Sequence, residues 1–323
     1  MTVSDSTRTA KDPTLVRWRR GLTAVWRLFK RNPMGVVGLT MLSLVILTAI
    51  LAPWIAPYDP KAPVHVSIED IYAGPGPGHI LGTDDGGKDV FSAFVFGSRV
   101  SLIVGFCASM ISMVIGGTVG LVAGFYGGRL GNLLMRLTDI FLVIPDLPLM
   151  IVIVAIVGPS LWNIILVIGI LGWTGTARLV RSQALSVKER QFVTRARAIG
   201  ASNSHILRRH IFPLVLPLML ANTVLVISLS ILEESTLSFL GLGDPTMLSW
   251  GGMLNFAFTR GAISARAWWP LIAPGLGIVW VVLACTLVGN TLEEVFNPRL
   301  QSHHLQGEDK MIALQKQTHL AEE

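Results

Sequence analysis

Asp84, Asp85 and Asp89 crowd the stretch TDDGGKD, a density of carboxylates that could gather a hard cation such as calcium. The alternate-position acids of an EF-hand loop are missing, so a side-chain-capped turn through Gly86 and Gly87 is the better reading. Asp139, Asp146, Glu233 and Glu234 stand inside apolar runs, where a carboxylate is costly and marks a polar pathway or a partner within the bundle. Asp146, near Pro145 and Pro148, and Glu234 are the candidates for a pathway, and Asp139 is expected to pair with Arg136. Glu233 and Glu234 could instead cap a helix end. Cys107 and Cys285 both fall in apolar runs and read as packing residues, and His303 and His304 as solvated groups in a polar tail. No Gly-x-x-x-x-Gly-Lys-Ser/Thr, His-Glu-x-x-His or Gly-x-Ser-x-Gly occurs in the sequence. The sequence therefore offers no P-loop for ATP, no metal ligand set, no cofactor motif and no catalytic group; an enzyme is not indicated.

These groups are carried by a chain of 323 residues that is 51% hydrophobic and 14% charged, with a mean hydropathy of +0.60. Such a composition reads as an integral membrane protein, in which each crossing needs roughly 20 apolar residues. Runs of that kind, with the breaker Gly158-Pro159-Ser160 dividing the longest, predict six helices over 35–56, 99–125, 131–157, 161–180, 213–235 and 271–292. The first follows a charged tail and reads as a retained anchor. Lys and Arg favour the cytoplasmic side, and 20 of the 26 fall on one side of this arrangement, which puts both termini in the cytoplasm. The pI near 9.7 then reports topology and contact with anionic lipid; without an aromatic-basic motif it does not point to nucleic acid.

Leu15, Trp18, Leu22, Val25, Trp26 and Phe29 recur at helical spacing and predict an interfacial helix ahead of the first span. Trp250, Trp268 and Trp269 are expected to anchor the outer boundary. The stretch TRARAIGASNSHILRRHIFPLVLP, residues 194–217, interrupts the apolar pattern. Phe192, Ala196 and Ile199 predict an apolar stripe, and Arg190, Thr194 and Arg197 a polar face. Gly200 predicts a left-handed helix stop, Ser202 or Asn203 the next cap, and Pro213 the first turn of the fifth span. Charge alone leaves two readings open, a knob for a soluble partner or a basic helix on lipid headgroups.

This segment resembles the coupling motif of permease subunits in binding-protein-dependent ABC importers. Thr194, Arg195 and Ala196 stand at its Glu-Ala-Ala positions, Gly200 at its glycine and His210-Ile211-Phe212-Pro213 at its close; two of the first three positions depart from the pattern. RNPMGVVGL, PYDP, HILGTDDGGKDVFSAFVFGSRVSL, LSFLGLGDP and SWGGML are similar to segments of the second-type permease of the dipeptide/oligopeptide/nickel subfamily. The resemblance implies an all-α type I importer transmembrane fold: a basic tail at 1–34, an extracytoplasmic loop at 57–98 and a permease core at 99–292. A coupling segment at 187–211 lies within that core, and a cytoplasmic tail occupies 293–323. It implies ATPase contact by Phe192, Thr194, Arg195, Ala196, Arg197, Ile199, Gly200, Ala201 and Ser202. Expected partners are a homologous permease, two ATP-binding domains that hold ATP and Mg, an extracytoplasmic substrate-binding protein and membrane lipid. Short peptides are the expected cargo, with nickel, glutathione or another small solute as alternatives. An ion-coupled secondary transporter would need coupling groups and repeat symmetry, for which Asp146 is a lone candidate.

Overall fold

The computed structural model describes residues 26–60, 62 and 68–296. Most of the predicted interfacial helix, the C-terminal tail and the His303-His304 pair lie outside these residues. Helices dominate throughout, because in lipid each backbone donor and acceptor must be satisfied within its own segment. Among the described residues five helices are long and apolar enough to cross a membrane, or six if one bent pair forms a single span.

The first span, α1 (Pro33–Ile50), is N-capped by Asn32, whose Oδ1 accepts from the Met34 and Gly35 N–H groups. It continues past a break into the short α2 (Ala52–Ile55). The second, α3 (Val90–Tyr126), begins at Val90 rather than 99, so the outer loop predicted at 57–98 closes at Asp89. Asp89 sets that start: its carboxylate caps the helix by accepting from Ser92 N–H at 2.7 Å and Ser92 Oγ at 2.6 Å.

The span expected at 131–157 is two helices, α4 (Gly128–Val143) and α5 (Asp146–Val157), bent by 83°. Pro145 explains the bend: it lacks the helical N–H and forces Ile144 into extended backbone, ψ 126°. The fourth span, α6 (Leu161–Leu171) and α7 (Trp173–Lys188), extends well beyond the predicted end at 180. After α8 (Gln191–Ala198) and α9 (Asn203–Ile206), a π turn at Leu207–Ile211 leads into α10 (Phe212–Leu237). Pro213 cannot donate to the carbonyl four residues back, which favours a widened turn at that place. A second π turn, Ser238–Leu242, ends α10 around Gly241 at φ +85°; α11 (Trp250–Thr259) and α12 (Trp269–Phe296) follow.

Apolar side chains gain little by leaving lipid for each other, so close backbone approach must hold the bundle. Gly116, Gly120 and Gly124 form one stripe of α3 against α7. A Cβ on Gly116 would stand 2.5 Å from the Trp173 carbonyl oxygen, and one on Gly120 would stand 2.5 Å from that of Ala177. A Cβ on Gly124 would reach 2.8 Å from Ala184 Cβ and 2.9 Å from the Arg181 carbonyl oxygen. Gly35 and Gly38 similarly admit Thr291 and Leu287 of α12 to α1.

Gly120→Leu should therefore destabilise the chain by about 2–3 kcal/mol, since the obstacle is backbone that cannot turn aside. Gly175→Ala on α7, with nothing within 4 Å of the added methyl, should leave the melting temperature unchanged. Thermal melts of the two variants in detergent check the contrast.

Candidate functional site: the coupling knob and the intramembrane carboxylates

α8 is held by Val193, fully buried, and Ala196, which pack with Val187, Ile206, Ile211 and Val215 into one apolar cluster with Leu121 and Phe125 of α3 and Val180 and Ala184 of α7. The predicted stripe is thus corrected: only Ala196 of its three residues faces inward, while Phe192 is 36% and Ile199 85% exposed. The returning α9 covers the Val193 side of the short helix, an arrangement that spacing within α8 cannot reveal.

Gly200 stands at φ +84°, and two hydrogen bonds close the turn around it. Gly200 N–H donates to Arg197 O and Ala201 N–H to Ala196 O, both at 3.0 Å, the pattern of a Schellman stop. Ala201 packs against the same cluster as Ala196, supplying the apolar contact that accompanies such stops. Ser202 caps α9, its Oγ accepting from His205 N–H at 3.3 Å. The product is a rigid knob with Ile199 at its tip and exposed Thr194, Arg195 and Arg197 beside it. Arg197 also lies over the Phe125 ring at 5.9 Å, and Phe192 meets the His210 ring at 6.1 Å.

Asp146, the first residue of α5, is exposed at the bend, where the positive end of the helix dipole favours a carboxylate. Glu233 lies near enough for the two charges to interact. Glu234 goes elsewhere. It is 1% exposed and accepts from Ser238 at 2.8 Å, Ser101 at 3.2 Å and Ser235 at 3.4 Å, with Ser249 as a further donor. These serines bring α3, α10, the second π turn and the cap of α11 to one carboxylate. Adjacent helical positions point about 100° apart, which is why one glutamate can turn inward and its neighbour toward Asp146. Asp139 pairs with Arg178 across to α7 at 2.7 Å, with both side chains exposed, in place of the expected Arg136.

The acidic stretch ahead of α3 divides among separate partners. Asp84 Oδ1 accepts from Gly86 and Lys88 N–H, Asp85 pairs with Arg260 at 2.9 Å, and Asp89 meets His79 at 3.0 Å. Burial pushes the Asp84 carboxyl up from its ordinary value, against those two N–H bonds. Asp244 titrates below its ordinary value: burial alone would raise it, but Thr246 Oγ1, Thr246 N–H and Leu161 N–H all donate to it. Trp250 and Trp269 are buried rather than interfacial, because their indole N–H groups donate to Phe94 O and Thr83 O, each at 2.9 Å; only Trp268 is exposed.

The family described as the binding-protein-dependent transport system inner membrane component matches residues 116–302, a stretch that contains the α3–α7 contact and the whole knob. The chain belongs to this family. The N-terminal transmembrane domain of oligopeptide transport permease C matches residues 22–75 of the permease. The di/tripeptide transport system permease protein DppC of Pseudomonas aeruginosa is 36% identical, over 91% of this chain and 97% of its own length. The glutathione transport system permease protein GsiD of Escherichia coli is 37% identical, over 85% of this chain and 90% of its own. A solved structure of the MetNI methionine ABC transporter, at 19% identity, aligns with 64% of this permease and 96% of its own chain at a TM-score of 0.49.

The two candidate carboxylates should separate on substitution. Glu234→Leu leaves serine hydroxyls without their acceptor and should cost more than about 2 kcal/mol, whereas Asp146→Leu should leave the melting temperature unchanged. Paired melts of the purified variants check this, and equal losses would contradict the placement.

Proposed function

We propose that the chain is the second-type permease subunit of a type I ABC importer for short peptides. It would pair with a homologous permease and dock two ATP-binding domains that hold ATP and Mg. Substrate would arrive from an extracytoplasmic binding protein. The observation that carries this reading is the knob: an exposed apolar tip, Ile199, flanked by Arg195 and Arg197 and braced by the Gly200 stop, stands where a groove on a soluble partner could grip it. Phe192, Thr194, Ala201 and Ser202 complete the docking segment in this reading. The basic residues gathered at this end favour the cytoplasm, with both termini on the same side.

The mechanics are those of alternating access. Closure of the ATPases would displace the knob, and the cluster around Val193 and Ile206 would pass that displacement to α7 and α10. Asp146 and Glu233, near the break in the α4–α5 pair, would line the pathway; Glu234 supports its wall from behind. The relatives named for di/tripeptide and for glutathione transport both support a short-peptide cargo, since glutathione is itself a modified tripeptide.

Gly200→Val tests the coupling assignment. No atom lies within 4 Å of the added Cβ, so the substitution acts through backbone alone, at roughly 2 kcal/mol for a β-branched residue at this positive φ. Membrane insertion should be normal while ATPase stimulation by binding protein is largely lost. Gly200→Asn, which tolerates the left-handed region, should retain most of it. Wild-type stimulation in the valine variant would refute the assignment.

A further inference from the structure

Between α1, α3, α10 and α12 lies a cavity of about 720 Å³, whose lining includes none of the residues assigned above to docking or to the pathway. Leu42 and Ile46 of α1, Leu102, Ile103 and Phe106 of α3, and Ile227 of α10 line it, and buried Cys285 of α12 closes its inner side. Ile46, Ile103 and Phe106 remain exposed at the rim, so the cavity opens sideways from the bundle at membrane depth. Water would find almost no polar partner on these walls.

One cation stands at the end of the cavity. Arg99 Nε donates to Ala49 O at 2.6 Å and its Nη2 to Ile50 O at 3.0 Å, satisfying carbonyls at the C-terminal end of α1. Three of the five guanidinium N–H groups stay available, and no carboxylate lies within ion-pair distance of Arg99 among the described residues. Arg99 is level with the C-terminal end of α1, and from Arg99 to Phe106 α3 rises about 10 Å, so the cavity runs along α3 away from the cation.

We propose that the cavity holds one acyl chain of a phospholipid from the leaflet at the Arg99 end, with the lipid phosphate on Arg99. The volume is within the range of sites that bury a small molecule, roughly 300–1,000 Å³. The wall matches a hydrocarbon chain, and the free guanidinium edge matches phosphate oxygens. The lipid then acts as a wedge that completes the packing of α1 against α3 and α10. This inference requires only that the helices span a bilayer and is independent of the cargo.

The test uses the assembled transporter in phosphatidylethanolamine/phosphatidylglycerol vesicles doped with a phospholipid that carries a diazirine midway along one acyl chain. After illumination, adducts are mapped by mass spectrometry. Segments 42–50 and 102–107 should exceed Ile272 and Val279, exposed apolar residues of α12, by roughly ten-fold, the ratio expected of a preference near 1.4 kcal/mol. Ile103→Trp should abolish the excess by filling the mouth. Arg99→Leu should bring phospholipid labelling down to that of a diacylglycerol probe, which lacks the phosphate. Labelling in the unaltered chain no stronger than at those α12 residues would overturn the proposal, whether or not the variants fold. A photocrosslinker at Ile103 that captures the partner permease instead of lipid would also overturn it.

Discussion

Three glycines one helical turn apart let the backbone of α3 touch the backbone of α7, and the proposed path from the membrane to the knob depends on that contact. Inside a bilayer, bulky apolar side chains would be satisfied equally well by lipid, so only a close approach that lipid cannot imitate holds two helices in register. Gly116, Gly120 and Gly124 meet α7 at Trp173, Ala177 and Arg181, positions with the same four-residue spacing. Two helices matched in this way resist sliding, because a shift would drive carbonyl oxygens into Cα atoms. Since α7 runs on to Lys188, a brace built in the membrane reaches the base of the knob.

α10 provides the other arm. At its N-terminal end the apolar cluster around Ile206 and Ile211 grips α8, and at its C-terminal end the Glu234 carboxylate collects serine hydroxyls from its surroundings. Both ends also carry a π turn, the sort of local widening that lets a long helix change direction without losing its hydrogen bonds. A span fixed at both ends to different neighbours links the knob to the loops at the opposite end of the bundle. Those loops are themselves tied down by the Trp250 and Trp269 indoles and by the Arg260–Asp85 pair.

Much of this organisation was legible in the sequence. Apolar run length located the five long helices to within several residues, but it read as one span the pair that is bent by 83°; Gly200 announced the turn, and of the two caps the sequence offered, Ser202 and Asn203, the structure uses Ser202. Interactions between distant segments were not legible. Periodicity gave α8 an apolar face through Phe192 and Ile199, but the face that is buried was decided by where α9 returns. Pro145 was visible beside Asp146, yet the size of the bend it produces depends on what α4 and α5 pack against. Arg178 could not be chosen over Arg136 as the partner of Asp139 without knowing that α4 lies beside α7. The glycine stripe itself stood in plain view at 116, 120 and 124, and its meaning emerged only with a partner helix against it.

The central claim is that α3, α7 and the knob move as one body. The most direct measurement is a spin-label distance between Val114→Cys on the exposed face of α3 and Ser204→Cys on α9, outside the proposed docking residues. It would be made in the assembled transporter with Cys107 and Cys285 replaced by alanine, with and without bound nucleotide. A single narrow distance that is the same in both states is the predicted result. A change of about 5 Å or more, one helical turn of slippage, would show that the knob moves independently of α3 and contradict the claim.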